Sequence, residues 1–119
     1  MSELGKRIWF FPDGDLPVPG EGELKGHESL VILNPNGTDA EITLTVYFTD
    51  REPMVLQAGQ IEAQRVRCIR TNEPIDGFQI PFGQYALKIE CSVGVIAQIG
   101  RMDVTQPNLA YFTTMGVGI

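Results

Sequence analysis

Three groups of side chains hold whatever chemistry this chain offers. The first is His27-Glu28, the lone histidine beside a carboxylate. An imidazole next to an acid is the minimum for proton transfer, and both residue types ligate metals. Catalysis would also need a nucleophile or an oxyanion donor, and none lies nearby in sequence. A metal site draws on several ligands, and only Glu28 adjoins this imidazole. The pair therefore reads as strand-entry residues bonded to neighbouring backbone, and no catalytic residue, metal or cofactor is expected.

The second group is Asp50-Arg51-Glu52 together with Arg101-Met102-Asp103. In each, two charged residues stand at i and i+2, which puts them on one face of an extended strand. Arginine grips a carboxylate through a planar fork, so Arg51 and Arg101 are candidates for clamping acids across strand ends. Such a group either fixes a rim by ion pairs or recognises a partner or anionic ligand. The third group is Arg65, Arg67 and Arg70, a basic cluster that could hold a phosphate or an acidic partner segment, or simply blunt a sheet edge. Trp9, with Phe10 and Phe11, offers a stacking surface for a sugar or peptide, or packs in the core or at an interface. No glycine-rich phosphate loop, CxxC pair, nucleophile elbow or HExxH motif is present.

The elements that must carry these groups are strands. Ile42, Leu44, Val46 and Phe48 alternate with Glu41, Thr43, Thr45, Tyr47 and Thr49, the period of a half-buried strand. Lys6 to Phe11 predicts a first strand ended by Pro12-Asp-Gly-Asp15, with a long irregular loop on to Gly26. Ser29 to Asn34 is apolar on both faces between Leu30 and Leu33, which predicts burial on two sides. Asn34-Pro-Asn-Gly37 predicts a hairpin turn into the alternating strand. Met54 to Leu56 predicts a short strand, Ala58-Gly59-Gln60 a turn, and the phase change near Gln64 or Arg65 a bulge. Thr71 to Gly83 reads as a loop with buried anchors. Tyr85 to Cys91 and Val95 to Met102 predict a hairpin about Ser92-Val93-Gly94, Leu109 to Thr114 a last strand, and Met115 to Ile119 a flexible apolar end. About eight short strands with no helical periodicity indicate one all-β domain over residues 1–119, an antiparallel, jelly-roll-like β-sandwich.

Composition agrees with a soluble globular chain, with 43% hydrophobic and 20% charged residues. The net charge of −6 disfavours nucleic acid and anionic membrane, where phosphate attraction dominates. The first residues lack the apolar stretch of a signal peptide, and no run approaches the ~18 residues of a membrane span, so no membrane insertion is expected. Cys68 and Cys91 are expected reduced and buried, in the cytoplasm.

Taken together, these residues resemble the sensory rhodopsin transducer family of small bacterial proteins. The likeness runs from about Gly5 to Thr114. It rests on Trp9, Gly14-Asp-Leu-Pro17, His27-Glu28, Val31-Ile-Leu-Asn34 and Tyr47-Phe-Thr-Asp-Arg-Glu-Pro53. Arg65, Arg70, Ile80-Pro81, Gln98 and Arg101-Met-Asp103 continue it. Gln64, Thr71 and Phe82-Gly83-Gln84 depart from the family pattern. The resemblance implies a homo-tetrameric β-sandwich that relays a signal without catalysis, partnered by a membrane receptor or a downstream protein. On the adaptor reading its contacts would be His27-Glu28, Asp50-Arg51-Glu52 and Arg101-Asp103, with Trp9 and Arg65 as further partner- or ligand-binding candidates. The alternative is a small-ligand module, for carbohydrate or an anion, with Trp9, Asp13, Asp15 and His27 lining a pocket.

Overall fold

The computed structural model describes residues 2–105 and 109–119. Among the described residues eight strands follow in order: β1 Lys6–Leu16, β2 His27–Asn34, β3 Ala40–Tyr47, β4 Met54–Ile61, β5 Arg65–Arg70, β6 Gly83–Asp103, β7 Ala110–Met115 and β8 Val117–Gly118. All pairings are antiparallel. A front sheet runs β4-β3-β6-β1-β8, and a back sheet runs β5-β2-β6-β7. The two pack as a β-sandwich, as the sequence predicts.

The shared strand explains how the chain makes both layers. At about 3.3 Å per residue, a straight strand of 21 residues would run about 70 Å. The molecule's longest extent is 49 Å, so β6 has to bend. It bends where Ser92-Val93-Gly94 had suggested a hairpin turn: β1 pairs Lys6 with Val95 but Ile8 with Glu90, which leaves the intervening β6 residues outside the ladder. The first half of β6 lies in the front sheet and the second in the back sheet. Strands that switch sheets through bulges make the corners of a sandwich.

Other local signals resolve in the same way. Pro12-Asp-Gly-Asp15 does not end β1, which continues to Leu16 through one extra residue between Phe11 and Gly14. The Asn34–Gly37 turn makes no hairpin; it carries the chain from the back sheet to the front. Ala58-Gly59-Gln60 is a bulge inside β4, with Gly59 at φ +89°. The expected bulge at Gln64 is a tight turn between sheets, with Gln64 at φ 57°. The C-terminal residues pair with β1 as β8, and the Ile119 amide bonds the Ile8 carbonyl.

Front-sheet residues Phe11, Leu44, Val46, Leu56, Leu87 and Ile89 meet back-sheet residues Leu30, Ile32, Ile69, Ala97 and Ile99 in the core. The expected two-sided burial of β2 is half met. Leu30 and Ile32 are fully enclosed, but Val31 is half-buried and Leu33 is 41% exposed. The outer face of the back sheet is thus apolar and uncovered: Val66, Leu33 and Ile96 lie side by side, with Met115 beyond them. Cys91 is buried as expected; Cys68 faces out with Val66 and is exposed.

Candidate functional site

The period-two geometry of β2 sends His27 and Glu28 in opposite directions. Glu28 points between the sheets and is completely buried. A bare carboxylate there would be costly, so its oxygens must be matched by donors. Four donors meet it. The Thr71 hydroxyl donates to Oε1 at 2.9 Å and the Tyr85 hydroxyl to the same oxygen, in a very short bond. Arg101 Nε and the Asp15 amide each donate to Oε2 at 3.2 Å.

The strands place these groups by register. Glu28 lies directly opposite Arg101 across the β2–β6 ladder, and Arg101 lies opposite Phe112 on β7. The guanidinium therefore sits between a carboxylate and an aromatic ring, 5.1 Å from the Phe112 centroid. Its Nη2 donates to the Asp13 carbonyl at 2.9 Å, which holds the bulged segment of β1. Tyr85 reaches the site from the front sheet because Gly14 lets its ring pass: a Cβ on Gly14 would lie 2.6 Å from the ring. Burial pushes the Tyr85 phenol well above its usual range, and the neighbouring Glu28 charge adds to this. Tyr85 therefore stays protonated as a donor.

The network ends at the surface. Asp103, two residues beyond Arg101, accepts from the Thr105 amide at 2.9 Å and its hydroxyl at 2.7 Å. Those bonds hold the Asp103 carboxyl below its ordinary value. A cavity of about 350 Å³ opens here among Asp15, Leu16, Val18, Phe82, Arg101 and Phe112. Phe82, 61% exposed, divides it from a hollow of about 200 Å³ lined by Phe48, Asp50, Arg51 and Tyr85. The two charged groups that the sequence singled out flank one loop.

Arg51 and Arg101 do not clamp acids in common. Each keeps its own carboxylate: Arg51 pairs with Asp50 at 3.1 Å and stacks 4.9 Å over the Phe48 ring. Asp50-Arg51-Glu52 lies in the bend between β3 and β4, not on a strand end, and Glu52 is exposed. His27 turns to the outer face, with Nδ1 2.9 Å from the Lys25 carbonyl. Trp9 is core: its indole N–H donates to the Lys6 and Val95 carbonyls, and 7% of it is exposed. Trp9 and His27 thus do not converge with Asp13 and Asp15 on a pocket. Arg65 lies far along β5 from this end, its guanidinium on the Gln64 carbonyl. Among the described residues no three His, Cys, Asp or Glu side chains group to hold a metal ion.

Sequence reading missed Tyr85, Thr71 and Phe112 as members of the site. Tyr85 alternates with Leu87, Ile89 and Cys91 on one face of its strand, and its hydroxyl on that apolar face is the available signal. Thr71 and Phe112 carried none, because strand register alone brings them in.

The family profile described as "Anabaena sensory rhodopsin transducer" matches residues 4–118. A crystal structure of Thermotoga maritima 1070 superposes with a TM-score of 0.87 at 34% identity, over 97% of this chain and 96% of that one. The Anabaena sensory rhodopsin transducer superposes with a TM-score of 0.71 at 28% identity, over 83% of this chain and 91% of that one. No curated protein matches the chain.

Proposed function

Because the chain belongs to the Anabaena sensory rhodopsin transducer family, we propose that it is a non-enzymatic signal transducer or adaptor. In this reading it is a cytoplasmic homo-tetramer that works through protein–protein contacts, with a membrane receptor or a downstream protein as partner. One observation carries the reading. Every residue of β7 is exposed in the single chain, including Tyr111, Phe112 and Met115, and the adjoining outer face offers Leu33, Val66 and Ile96. Apolar surface of that extent marks a contact with another protein. In this reading Asp50, Arg51 and Glu52 on one side of Phe82, and Arg101 and Asp103 on the other, supply polar contacts, and His27 lies on the outer face. Glu28 and Trp9 act from beneath, by fixing the strands that present these groups. Among the described residues no helix is long and apolar enough to cross a membrane.

The test is binding to a sensory rhodopsin in nanodiscs, in darkness and under illumination. Saturable binding that changes with light supports the transducer role. No binding in either state contradicts the receptor half of it.

The second reading, a small-ligand module, is favoured by the cavity beside Arg101. A thermal-shift screen with sugars and organic anions decides it. A ligand at about 100 times its Kd adds about 2.7 kcal/mol to stability, and a flat screen removes the reading.

A further inference from the structure

The two sheets end side by side at β4 and β5, and their edges are in different states. On β4, Arg67 Nη1 donates to the Ala58 and Gln60 carbonyls, and Asp76 accepts from the Gln57 amide at 2.9 Å. Side chains therefore cap that lip. β5 pairs with β2 along all six of its residues. Among the described residues, no group bonds the main chain of Arg65 to Ile69 from the other side; the Glu73 amide closes the edge only at the Arg70 carbonyl. A strand paired on one side leaves N–H and C=O groups facing outward, a template for another strand. A cleft of about 430 Å³ lies between the capped lip and the open one.

Side chains say what kind of strand would fit. The protein carries nine Lys and Arg residues against 15 Asp and Glu, yet Arg65, Arg67 and Arg70 all lie on β5. Among the described residues none of the three has a carboxylate within ion-pair distance, whereas Arg7, Arg51 and Arg101 each have one. By alternation Arg65, Arg67 and Ile69 share the inner side of β5, where Arg67 and Ile69 line the cleft. Val66, Cys68 and Arg70 share the outer side, where Val66 is 64% exposed next to Leu33. Glu73 and Asp76 stand at the far end of the cleft, with Asp76 engaged on β4. Among the described residues Arg65 and Arg67 are thus the two arginines on the inner side of β5 without a carboxylate partner, with Arg67 resting on the β4 carbonyls.

We propose that the open edge of β5 takes up an extended segment of a partner protein by strand addition, with acidic and apolar side chains alternating along it. Its carboxylates face Arg67 in the cleft and Arg65 on the same side of β5, and its apolar side chains extend the Val66–Leu33 surface. Main-chain bonds give such a complex affinity and the alternate side chains give it selectivity. A second copy of β5 is a poor occupant, because antiparallel pairing would set arginine near arginine. The proposal deepens the reading of this chain as a protein-contact adaptor by naming the chemistry of the partner.

Fluorescence anisotropy with a short dye-labelled peptide of alternating Glu and Val tests it. Controls are the Lys–Val counterpart, a block peptide of the same composition, two forms N-methylated on alternate residues in either phase, and a thymidine oligonucleotide. The alternating acidic peptide is expected to bind at least about tenfold tighter than the lysine and block peptides. One of the two N-methylated forms loses binding, Arg65→Glu weakens it about tenfold, and hydrogen exchange slows within Arg65 to Ile69. Binding that survives N-methylation in both phases, or is matched by the lysine peptide, overturns the proposal. Tighter binding of the oligonucleotide also overturns it, in favour of a nucleic-acid site. Sedimentation of the same samples separates this result from the wider one. A tetramer that ignores the peptide keeps the adaptor reading and loses this proposal. A monomer that binds it does the reverse.

Discussion

Replacing Glu28 by Gln should be among the most damaging conservative changes in the chain. The side chain keeps its shape and loses its charge. Glu28 is fully enclosed and the Arg101 side chain is 14% exposed, so the guanidinium would keep a burial cost without its counter-charge. The new amide NH₂ would also confront a site built of donors: the Asp15 amide, Arg101 Nε, and the Thr71 and Tyr85 hydroxyls. Removing one partner of a buried pair costs about 3–5 kcal/mol. Arg101 retains the Asp13 carbonyl and the Phe112 ring, which argues for the lower end, about 3 kcal/mol. With an m value of about 1.5–2 kcal/mol/M, the urea midpoint should fall by about 1.5–2 M. The single tryptophan, buried at Trp9, gives a fluorescence readout of the core. All variants should be compared at one protomer concentration, since assembly would add to apparent stability. Arg101→Met and the double variant complete a cycle, with an expected coupling of about 1–3 kcal/mol. A Glu28→Gln loss below about 1 kcal/mol, or additive single changes, would refute the pairing on which this reasoning rests.

Other consequences follow from buried groups. A thiol reagent should modify Cys68 rapidly in the native protein and reach Cys91 only after unfolding; two equally fast thiols would contradict the burial of Cys91. Burial raises the Cys91 thiol from 9.0 to about 12 and lifts the Tyr85 phenol well above its usual value. Both groups hold their protons longer folded than unfolded. Their contributions are therefore level below about pH 9 and decline above it, because the unfolded chain then binds fewer protons. The urea midpoint should drop on passing from pH 9 to 11, and less so in Tyr85→Phe; a flat profile would refute the assignment. Asn34 donates to the Thr38, Ile61 and Glu62 carbonyls and accepts from the Asn36 amide. Asn34→Ala would leave several buried groups unmet, at about 2–3 kcal/mol, and a loss under about 0.5 kcal/mol would mean that this turn is held by other bonds.

Alternation along β3 and the first half of β6 was legible in sequence because one face of each is core and the other is not. Glycine and asparagine signals marked real changes of direction, but not their kind. Ser92-Val93-Gly94 and Asn34–Gly37 both look like hairpin turns, yet one is a bend within a strand and the other a crossing between sheets. Local chemistry is the same in each case, and only the length available to the strand and the packing of two layers decide between them. The prediction of eight strands was met by a different division, with two predicted strands fused in β6 and a short β8 added. At the site, Glu28 stood out beside the lone histidine and Arg101 by its i, i+2 spacing from Asp103. Their pairing did not, since it depends on the β2–β6 register across more than half the chain. The open edge of β5 was visible only as an arginine cluster, and what sets it apart is the strand that is missing beside it.

Sedimentation equilibrium at micromolar concentration tests the central claim most directly, with the wild type beside a Leu33→Asp, Val66→Asp variant. A chain of 13.1 kDa that works as a tetrameric adaptor through its uncovered back-sheet face should weigh about 52 kDa and dissociate in the variant. A wild-type mass of one chain would contradict that account.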